Sequence, residues 1–513
     1  MIKMESDKKV KQPLSTQKDM DPTKTLITTY LLSDYEIPEC ESNSEETEKR
    51  KKVIKEIQGY ISEWQAKLKE TLNITDPGDA QLLTYGSFSM EVSAKDGDLD
   101  TLLVAPDYID RDKHFFGSFL EKLRECPDIK EIQPIKDAYV PLIKLKISSI
   151  MVDIVFARVN RKVLESGETI NFTEPVLRDM SAEMIRGVNA FRTGKKILES
   201  VPNVYNYKMT LRAIKLWARR KAIYSNPQGF LSGISCAIMT ARICKANPDM
   251  LPHQLIYAFF KTYSEWRWTD KPVVVDDSQL SFKPTVPLPE KSWTENEKTC
   301  MMVITPVYPF SNTTYNVSYI SHKVIVNHLM DARKVFDESK EFDKEKFCDW
   351  ETLFKPYEFF RSYVHFLEVK IFSNNYEQFL KWKGLVESKL KVLTRNLEVI
   401  VRTADFENNS NEEIIIHPYP FGIPLKEGKD FPQHCIAFYY GIKWKNMYLK
   451  PYSKKMDLSQ PVEDFVQQEL FHKRLETPEC EISFLHLTRE DLNDCVFGTE
   501  ERPSWATKRS KFT

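Results

Sequence analysis

The most constraining feature of the sequence is a pair of apolar, strand-type segments that are interrupted by carboxylates. Asp98 and Asp100 stand at the start of "TLLVAP", and Asp153 interrupts "IMVDIVFAR". Carboxylates are rarely buried unless they are paired or bind a metal ion. Because side chains alternate along a strand, Asp98 and Asp100 are expected on one face, with Leu99 pointing into the core.

If the two segments are neighbouring strands, their carboxylates predict a metal site. Two carboxylates about 6–7 Å apart on one strand face repel each other unless a cation lies between them. Oxygen ligands suit Mg²⁺ or Mn²⁺, and three carboxylates can hold two such ions for in-line phosphoryl transfer. A lone D-x-D is a weak signal, but Gly86 and Ser87 precede it in a turn that can cradle phosphates.

Composition narrows the class of protein. The 513 residues suggest about three domains, and a net charge of -1 means that any basic surface must be local. The nine cysteines are scattered without a C-x-x-C pair, which favours reduced thiols over a disulfide framework or a zinc site. The first residues lack an apolar core and no run reaches about 18 apolar residues, so neither a signal peptide nor a membrane span is expected.

Periodicity divides the chain into three regions. An amphipathic helix is expected from near Ser44, and residues 80–160 mix strands with short helices, which indicates an α/β layer. Residues 180–270 are helical in pattern, with strong candidates in "KMTLRAIKLWARRKAI", "SGISCAIMTARICKA" and "PHQLIYAFFKTYSEW". From about residue 355, "EFFRSYVHFLEVKIF" is predicted as a strand, followed by a helix, further strands and a helix in a small α+β module.

One predicted helix carries a row of basic residues. Arg212, Lys215 and Arg219 share a face at helical spacing, which suits a triphosphate or an RNA backbone. The alternative is a solvated basic face, and we favour it for Arg220 and Lys221.

A second basic segment lies near the C-terminus, in "IKWKNMYLKPYSKK". Its lysines include Lys443, Lys445 and Lys450, and aromatic residues are interleaved with them. Lysines can meet phosphates while aromatic rings stack on bases. Alternatively, the rings belong to the core and the lysines solubilise a strand edge.

Longer segments resemble one protein family. "LTYGSFSMEVSAKDGDLDTLLVAPDYIDRDKHFF" resembles the nucleotidyltransferase core of eukaryotic nuclear-type poly(A) polymerases, and "DAYVPLIKLKISSIMVDIVFAR" resembles its third-carboxylate strand. "LRAIKLWARRKAIYSNPQGFLSGISCAIMTARIC", "ITPVYPFSNTTYNVS" and "WKGLVESKLKVL" are similar to further family segments in the same order. The resemblance covers about residues 25–400.

The resemblance implies an α+β multidomain fold. A polymerase beta-like nucleotidyltransferase domain of the α/β type is expected at 25–200, and a helical central domain at 201–354. An RRM-like (ferredoxin-like) RNA-binding domain is expected at 355–495. The chain outside these ranges is expected to be a flexible N-terminus, 1–24, and a disordered tail, 496–513.

The resemblance also implies roles for individual residues. Asp98, Asp100 and Asp153 would be catalytic and would bind the metal ions. ATP would additionally contact Tyr85, Gly86, Ser87, Asn189, Lys215, Tyr224, Asn226, Gly233 and Ile234. RNA would contact Tyr139, Lys144, Lys443, Lys445 and Lys450. From the residues alone, Tyr224 and Ile234 could equally be core residues and Asn226, before a proline, a turn residue.

The activity implied is template-independent addition of AMP from ATP to the 3′-OH of RNA by a two-metal mechanism, with Mg²⁺ or Mn²⁺. Implied partners are the pre-mRNA 3′ end and cleavage and polyadenylation factors, for a nuclear monomer without membrane contact. A uridylyltransferase and a non-catalytic RNA-binding scaffold are the alternatives, and a DNA terminal transferase is less favoured. The chain departs from the family pattern at Ser89, Glu91 and Ser232, which leaves the details of nucleotide binding open.

Overall fold

The computed structural model describes most of the chain from residue 45 onward. The described residues are 45–75, 78–94, 97–165, 170–284, 288–294, 296–297, 299–342, 348–407, 414–426, 433–444, 456–473, 477–498, 503 and 506. The predicted N-terminal segment, the helix cap at Ser44, Lys445 and Lys450 lie outside them. Within the described part, all eight cysteines are free and no helix is long and apolar enough to cross a membrane.

The first layer is a five-stranded mixed sheet with the order β1-β2-β5-β4-β3. Its strands are β1 Gln81–Thr84, β2 Leu99–Pro106, β3 Ile129–Ile135, β4 Leu142–Ile147 and β5 Ile150–Val159. Strands β2 and β5 are parallel, and the other pairs are antiparallel. Strands β1, β2, β4 and β5 follow segments of strand type in the sequence, "LLTYG", "TLLVAP", "PLIKLKI" and "IMVDIVFARV", whereas β3 was not singled out.

Helices cover both faces of this sheet. They are α1 Glu45–Leu72, α2 Gly86–Ser89, α3 Leu120–Arg124 (which continues a π-helical turn, Arg111–Phe119), α4 Arg161–Glu165 and α5 Glu174–Arg178. Helix α1 buries Val53, Ile57, Ile61 and Trp64 against one face, as its helical periodicity predicts. The other face carries Leu102, Val104 and Val155 and packs against the next helix, α6.

The middle of the chain is helical, as predicted. It contains α6 Ala182–Ser200, α7 Val204–Arg220, α8 Gly233–Ala246, α9 Pro252–Ser264, α10 Tyr319–Phe342 and α11 Trp350–Phe354. Their shared core is rich in large aromatic side chains, among them Trp217, Phe259 and Tyr263, which are fully buried.

The C-terminal module contains a second sheet with the order β10-β6-β9-β7, and a short strand, β8, pairs with β9. In chain order its elements are α12 Phe359–Ser362, β6 His365–Ser373, α13 Tyr376–Glu407, β7 Ile414–Pro418, β8 Ile423–Pro424, β9 His434–Trp444, α14 Ser459–Phe465 and β10 Cys480–Thr488. Apart from α12 and the short β8, this is the β-α-β-β-α-β order of the ferredoxin-like arrangement expected for an RRM-like domain. One prediction was wrong: the first half of "EFFRSYVHFLEVKIF" is the short helix α12, and the strand begins at His365.

Both faces of the second sheet are covered. Leu367, Val369 and Phe438 pack against α13 on one face. On the opposite face, Phe359 and Phe360 of α12 pack onto the strands, in a cluster that includes Leu492 and Val496 from the end of the module. Within the predicted tail, Val496 belongs to a 3₁₀ turn (Asp494–Phe497) and Ala506 is buried.

Candidate active site

Two parallel strands bring the predicted carboxylates together. Asp100 on β2 pairs in register with Asp153 on β5, so both side chains point to the face that packs on α6. Lys144 on β4 is the cross-strand partner of Asp153, and its Nζ lies 2.8 Å from Asp153 Oδ2. The other oxygen, Asp153 Oδ1, is buried and has no hydrogen-bond partner among the described residues. One oxygen of the pair is therefore left for a ligand.

Asp98 differs from the prediction. It lies one residue before β2 rather than on the strand, and its side chain is exposed. The loop that leads to it is held by the buried Arg50, which donates to the carbonyl oxygen of Gly97 at 2.8 Å. Asp98 is thus placed beside the carboxylate pair by its loop and not by strand alternation.

The electrostatics of the pair fit a cation. Burial, followed by the negative charges of Asp153 and Asp98, raises the pKa of Asp100 to about 7, while Lys144 and Lys215 act in the opposite direction. Among the described residues, no three His, Cys, Asp or Glu side chains are gathered closely enough to enclose a metal ion. The unpaired Asp153 Oδ1 and the mutual repulsion of the carboxylates nevertheless suit a divalent cation, because such an ion would relieve both.

The Gly-Ser turn lies against this pair. Gly86 has a φ of +69°, and a Cβ built on it would overlap the carboxylate of Asp100. The backbone N–H of Tyr85 donates to the carbonyl oxygen of Asp100 at 3.1 Å, and Ser87 Oγ lies 3.0 Å from Ser93 Oγ. Glycine is required here for two reasons, the left-handed backbone and the close approach of the carboxylate.

A cleft of about 480 Å³ opens over these residues. Of the predicted site residues it is lined by Tyr85, Gly86, Ser87, Asp100, Asn189, Lys215, Tyr224, Gly233 and Ile234. These come from the Gly-Ser turn and β2 of the first domain, from α6, α7 and α8, and from the segment between α7 and α8, so the tertiary structure unites residues about 150 positions apart. Asp98, Asp153 and Asn226 are not among the described residues that line it.

Two residues of the predicted basic row, Arg212 and Lys215, also hold the loop after the Gly-Ser turn. Lys215 is buried and donates to the carbonyl oxygen of Val92 at 2.8 Å, and Arg212 donates to the carbonyl oxygen of Glu91. Burial lowers the pKa of Lys215 to about 8. Lys208, on the same helix, pairs with the Glu91 carboxylate at 2.7 Å. Glu91, one of the departures from the family pattern, therefore anchors the loop after the Gly-Ser turn to α7.

The prediction of a solvated face for Arg220 and Lys221 was wrong. Arg220 Nη1 donates to the carbonyl oxygen of Phe354 at 3.2 Å, and Lys221 Nζ donates to that of Lys355 at 2.9 Å. Both carbonyls lie at the end of α11, where helical C=O groups lack intrahelical partners. The two cations thus hold α11 against the end of α7.

The helix α8 begins at the cleft. Ser232, another of the departures from the family pattern, is its N-cap, and Ser232 Oγ accepts from the backbone N–H of Ser235 at 3.1 Å. A Cβ on Gly233 would lie 2.8 Å from the hydroxyl of Tyr224, so a small residue is needed between this helix and the ring. The small side chain of Ser232 therefore caps the helix without filling the cleft.

Asn189 and Asn226 differ in position. Asn189 lines the cleft and donates from Nδ2 to the carbonyl oxygen of Pro309 at 3.2 Å, while Arg192 donates to that of Tyr308 at 2.6 Å. Asn226 belongs to a 3₁₀ turn, and its backbone oxygen accepts from Asn316 Nδ2 at 3.3 Å. The structure thus agrees with the turn interpretation of Asn226.

Several residues that line the cleft were not singled out in the sequence. They include Arg186, Ala190, Thr193, Thr305, Ser311 and Thr313. The last three lie in or next to "ITPVYPFSNTTYNVS", a segment quoted above only for its resemblance. A segment with several small hydroxyl residues between prolines was the available signal, but it did not indicate which side chains face the cleft.

The RNA candidates lie in different surroundings. Tyr139 is 66% exposed, and the guanidinium of Arg186 lies 4.3 Å from its ring centre. Lys144 is engaged by Asp153, and Lys443 is exposed at the end of β9. An exposed ring that the sequence did not indicate, Tyr315, lies two residues beyond the cleft-lining Thr313.

Basic residues of α13 approach Tyr315. Lys391 Nζ lies 5.9 Å from its ring centre, and Arg395 Nη2 donates to its carbonyl oxygen at 3.3 Å. The mouth of the cleft is therefore connected to the C-terminal module by exposed aromatic and basic groups.

Comparison with known protein families gives three adjoining matches. Residues 10–201 match the poly(A) polymerase nucleotidyltransferase domain, 206–356 the poly(A) polymerase central domain, and 358–411 the poly(A) polymerase predicted RNA binding domain.

Curated relatives carry related names. The chain is 31% identical over 461 residues to nuclear poly(A) polymerase 2 of Arabidopsis thaliana, covering 89% of this chain and 55% of the relative. It is 31% identical over 429 residues to the poly(A) polymerase of Dictyostelium discoideum, covering 82% and 51%. The chain thus spans between about half and two thirds of the length of the curated relatives it matches.

Among solved structures, a Cid1 RNA terminal uridylyl transferase covers 65% of this chain and 97% of its own, with a TM-score of 0.44 and 16% identity. This structural likeness is too weak to indicate which nucleotide the present chain uses. The three adjoining domain matches and the relatives, taken with the carboxylate pair, the Gly-Ser turn and the RRM-like module, show that the chain belongs to the poly(A) polymerase family.

Proposed function

We propose that this protein is a polynucleotide adenylyltransferase that adds AMP from ATP to the 3′-OH of RNA without a template. The observation that carries the proposal is the in-register pair of Asp100 and Asp153 beside the Gly86 turn, at a cleft large enough for a nucleotide. Ligand clefts of this size, with a few convergent polar groups, are typical of nucleotide sites.

Asp100 and Asp153, with Asp98 beside them, would hold divalent cations. The family uses such ions, and Mg²⁺ or Mn²⁺ is the identity we propose. When bound, they lower the pKa of the attacking hydroxyl and stabilise the charge on the pyrophosphate that leaves. The fit rests on the unpaired Asp153 Oδ1 and on the raised pKa of Asp100.

The remaining chemistry falls to positioning. The hydroxyl of the RNA 3′ end loses its proton, its oxygen forms a bond to the α-phosphorus of ATP, and the bond to pyrophosphate breaks. The backbone N–H groups of Gly86 and Ser87 would receive the triphosphate, and Lys215, which lines the same cleft, would supply a positive charge. Tyr224, Gly233 and Ile234 would shape the base pocket.

RNA would approach along the exposed groups at the cleft mouth. Tyr139 and Tyr315 offer rings for stacking, while Lys391 and Arg395 offer charges for phosphates. Lys144 would lie nearest the 3′ end, because it touches Asp153.

The wider setting follows from the relatives. We propose a nuclear location, because relatives are named nuclear poly(A) polymerases. RNA and nucleotide substrates fit the family, and cleavage and polyadenylation factors are the protein partners we propose for a monomeric enzyme. The domain boundaries at 25–200, 201–354 and 355–495 stay predictions.

The deciding experiment is extension of a labelled oligo(A) primer with Mg²⁺ and each nucleoside triphosphate separately. Asp100→Ala is the test variant, and Asp249→Ala, an exposed acid far along the chain, is its matched control. We expect a ladder with ATP for the wild type and for the control, and none for Asp100→Ala. Extension with UTP would overturn the base assignment, and RNA binding without any incorporation would favour a scaffold.

A further inference from the structure

Three side chains form one unit at the mouth of the cleft. Arg186, which lines the cleft, donates from Nη1 to Glu290 Oε2 at 2.7 Å and from Nε to the carbonyl oxygen of Tyr139 at 2.7 Å. The hydroxyl of Tyr139 donates to Glu290 Oε1 at 3.1 Å. Both oxygens of Glu290 are therefore engaged, one by the guanidinium and one by the phenol.

The unit has a buried base and an exposed top. The side chains of Glu290 and Arg186 are 11% and 19% exposed, whereas Tyr139 is 66% exposed. A nearby ion pair, Lys291 with Glu297, is 80% and 40% exposed. A charge pair that is shielded from water holds its geometry better than an exposed one, which is screened and mobile.

The segment that carries Glu290 is fixed on both sides. Leu288 packs against the hydrophobic cluster between the first sheet and α6. Ser292 Oγ accepts from the backbone N–H of Phe310 at 3.0 Å, and the N–H of Trp293 donates to the carbonyl oxygen of Phe310 at 2.7 Å. Residues 288–293 therefore cross from the first sheet to the wall of the cleft, and Glu290 lies between these attachments.

We propose that Glu290 is a positioning residue that orients Tyr139 and Arg186 for the 3′ end of the RNA primer. The inference rests on the proposed function. Arg186 supports the Tyr139 ring at 4.3 Å, and the exposed remainder of the ring is then presented to a base. Because Glu290 neutralises Arg186, this guanidinium acts as a support for the ring and less as a free phosphate ligand.

The test measures KM for primer and for ATP separately. We expect Glu290→Gln, which keeps an acceptor but removes the charge, to raise the KM for oligo(A) roughly five- to tenfold, since bonds to charged groups are strong. The KM for ATP and kcat should stay within about twofold. Tyr139→Phe, which loses only the hydroxyl, should raise the primer KM less, and the double variant should be no worse than Glu290→Gln.

Glu297→Gln is the matched control, since it removes the charge of an exposed partner in the same segment; it should leave all three constants unchanged. Equal rises in the KM for primer and ATP, or additive effects of the two substitutions, would overturn the proposal. So would an unchanged primer KM in Tyr139→Phe, a variant at an exposed residue that tests the idea even if Glu290→Gln unfolds.

A second readout separates this proposal from the proposed function. Fluorescence anisotropy of labelled oligo(A) without nucleotide reports RNA affinity whether or not AMP is added. If the wild type incorporates no nucleotide, the proposed activity fails. Weaker oligo(A) binding by Glu290→Gln than by Glu297→Gln would still support the positioning role, and equal binding would overturn it.

Discussion

The two sheets of this protein treat buried carboxylates in opposite ways. In the first sheet, Asp153 has one oxygen on Lys144 and a second, buried oxygen without a partner among the described residues. In the second sheet, Glu368 is also buried, and its Oε1 accepts from the hydroxyl of Tyr439 at 2.7 Å. A buried carboxylate oxygen without a partner is costly, so the position of Asp153 Oδ1 beside Asp100, which lines the cleft, points to a ligand.

The two sheets also differ in whether the face that carries the acid is open or covered. The face that carries Asp100 and Asp153 opens onto the cleft, whereas the corresponding aromatic residues of the second sheet, Phe366 and Tyr439, are fully buried beneath α12 and the end of the module. Rings that are buried cannot stack on bases. Phe366 and Tyr439 are therefore not candidates for stacking on RNA bases, and the basic residues of α13 are the better candidates for RNA contact.

The largest expected effect tests the acids directly. Asp153→Asn should reduce AMP incorporation roughly 10²–10³-fold or more, because it removes charge where the proposed phosphoryl transfer would occur. Glu368→Gln should leave kcat within about twofold, because its partner is structural. Single-turnover primer extension checks both. Comparable losses in the two variants would erase the distinction between the sheets.

The next comparison is between two glycines, Gly86 at the cleft and Gly384 in α13. Gly86→Ala should lower kcat/KM for ATP roughly 10- to 100-fold, since the new Cβ meets Asp100 and the backbone is left-handed. Gly384→Ala in α13 is the control, because no described atom lies within 4 Å of the added carbon. It should stabilise the fold by about 0.5–1 kcal/mol, measured by urea unfolding.

Lowering the pH should change the free energy of unfolding in opposite directions through His328 and through Asp100. Burial lowers the pKa of His328 to about 4. Burial also lowers the pKa of His417 on β7, whose ring packs against that of His328, well below its usual range. When folding lowers the pKa of a histidine, the unfolded state binds protons more readily than the folded state. The resulting contribution to the free energy of unfolding is present above about pH 6.5, near the pKa of the unfolded chain, and is lost as the pH falls. For His328 the loss should be about 2 kcal/mol between pH 6.5 and 5.

Asp100 should act the other way. Its pKa of about 7 lies above the unfolded value, so the folded state binds more protons between about pH 4 and 7 and stability rises as pH falls. Urea unfolding with EDTA, at pH 5 and 7.5, tests both groups. His328→Gln should reduce the acid loss, and Asp100→Asn should remove the opposing gain. If the wild type and both variants showed the same dependence of the unfolding free energy on pH, this assignment would be wrong.

The smallest expected effect concerns Glu368, the buried acid that accepts a hydrogen bond from Tyr439. Tyr439→Phe removes the hydroxyl bonded to Glu368 and should cost about 1–3 kcal/mol of unfolding free energy, since the acid is left buried with one partner fewer. Primer extension should be unchanged within about twofold. A loss of activity that exceeds the loss of folded protein would mean that the second sheet contributes to the reaction.

Much of this architecture was accessible from the sequence. Helix α1, the strands around Asp100 and Asp153, and the helices α7 to α9 have strong periodicity, so local pattern was enough to find them. Two elements were missed for lack of such a pattern: β3 is largely exposed and does not alternate regularly between buried and exposed residues, and α12 precedes a strand without a turn signal. The resemblance supplied the roles of residues, such as Asn189 and Gly233, that no local pattern could indicate.

The sequence by itself determined which residues could meet a metal and a phosphate, because carboxylates in apolar strands and a Gly-Ser turn are local signals. The tertiary structure decided which residues stand beside them. Glu91 proved to be an anchor for the loop, Ser232 a helix cap, and Glu290 the common partner of Arg186 and Tyr139. These roles depend on contacts between segments as far apart as Tyr139 and Glu290, and no spacing along the chain encodes such contacts.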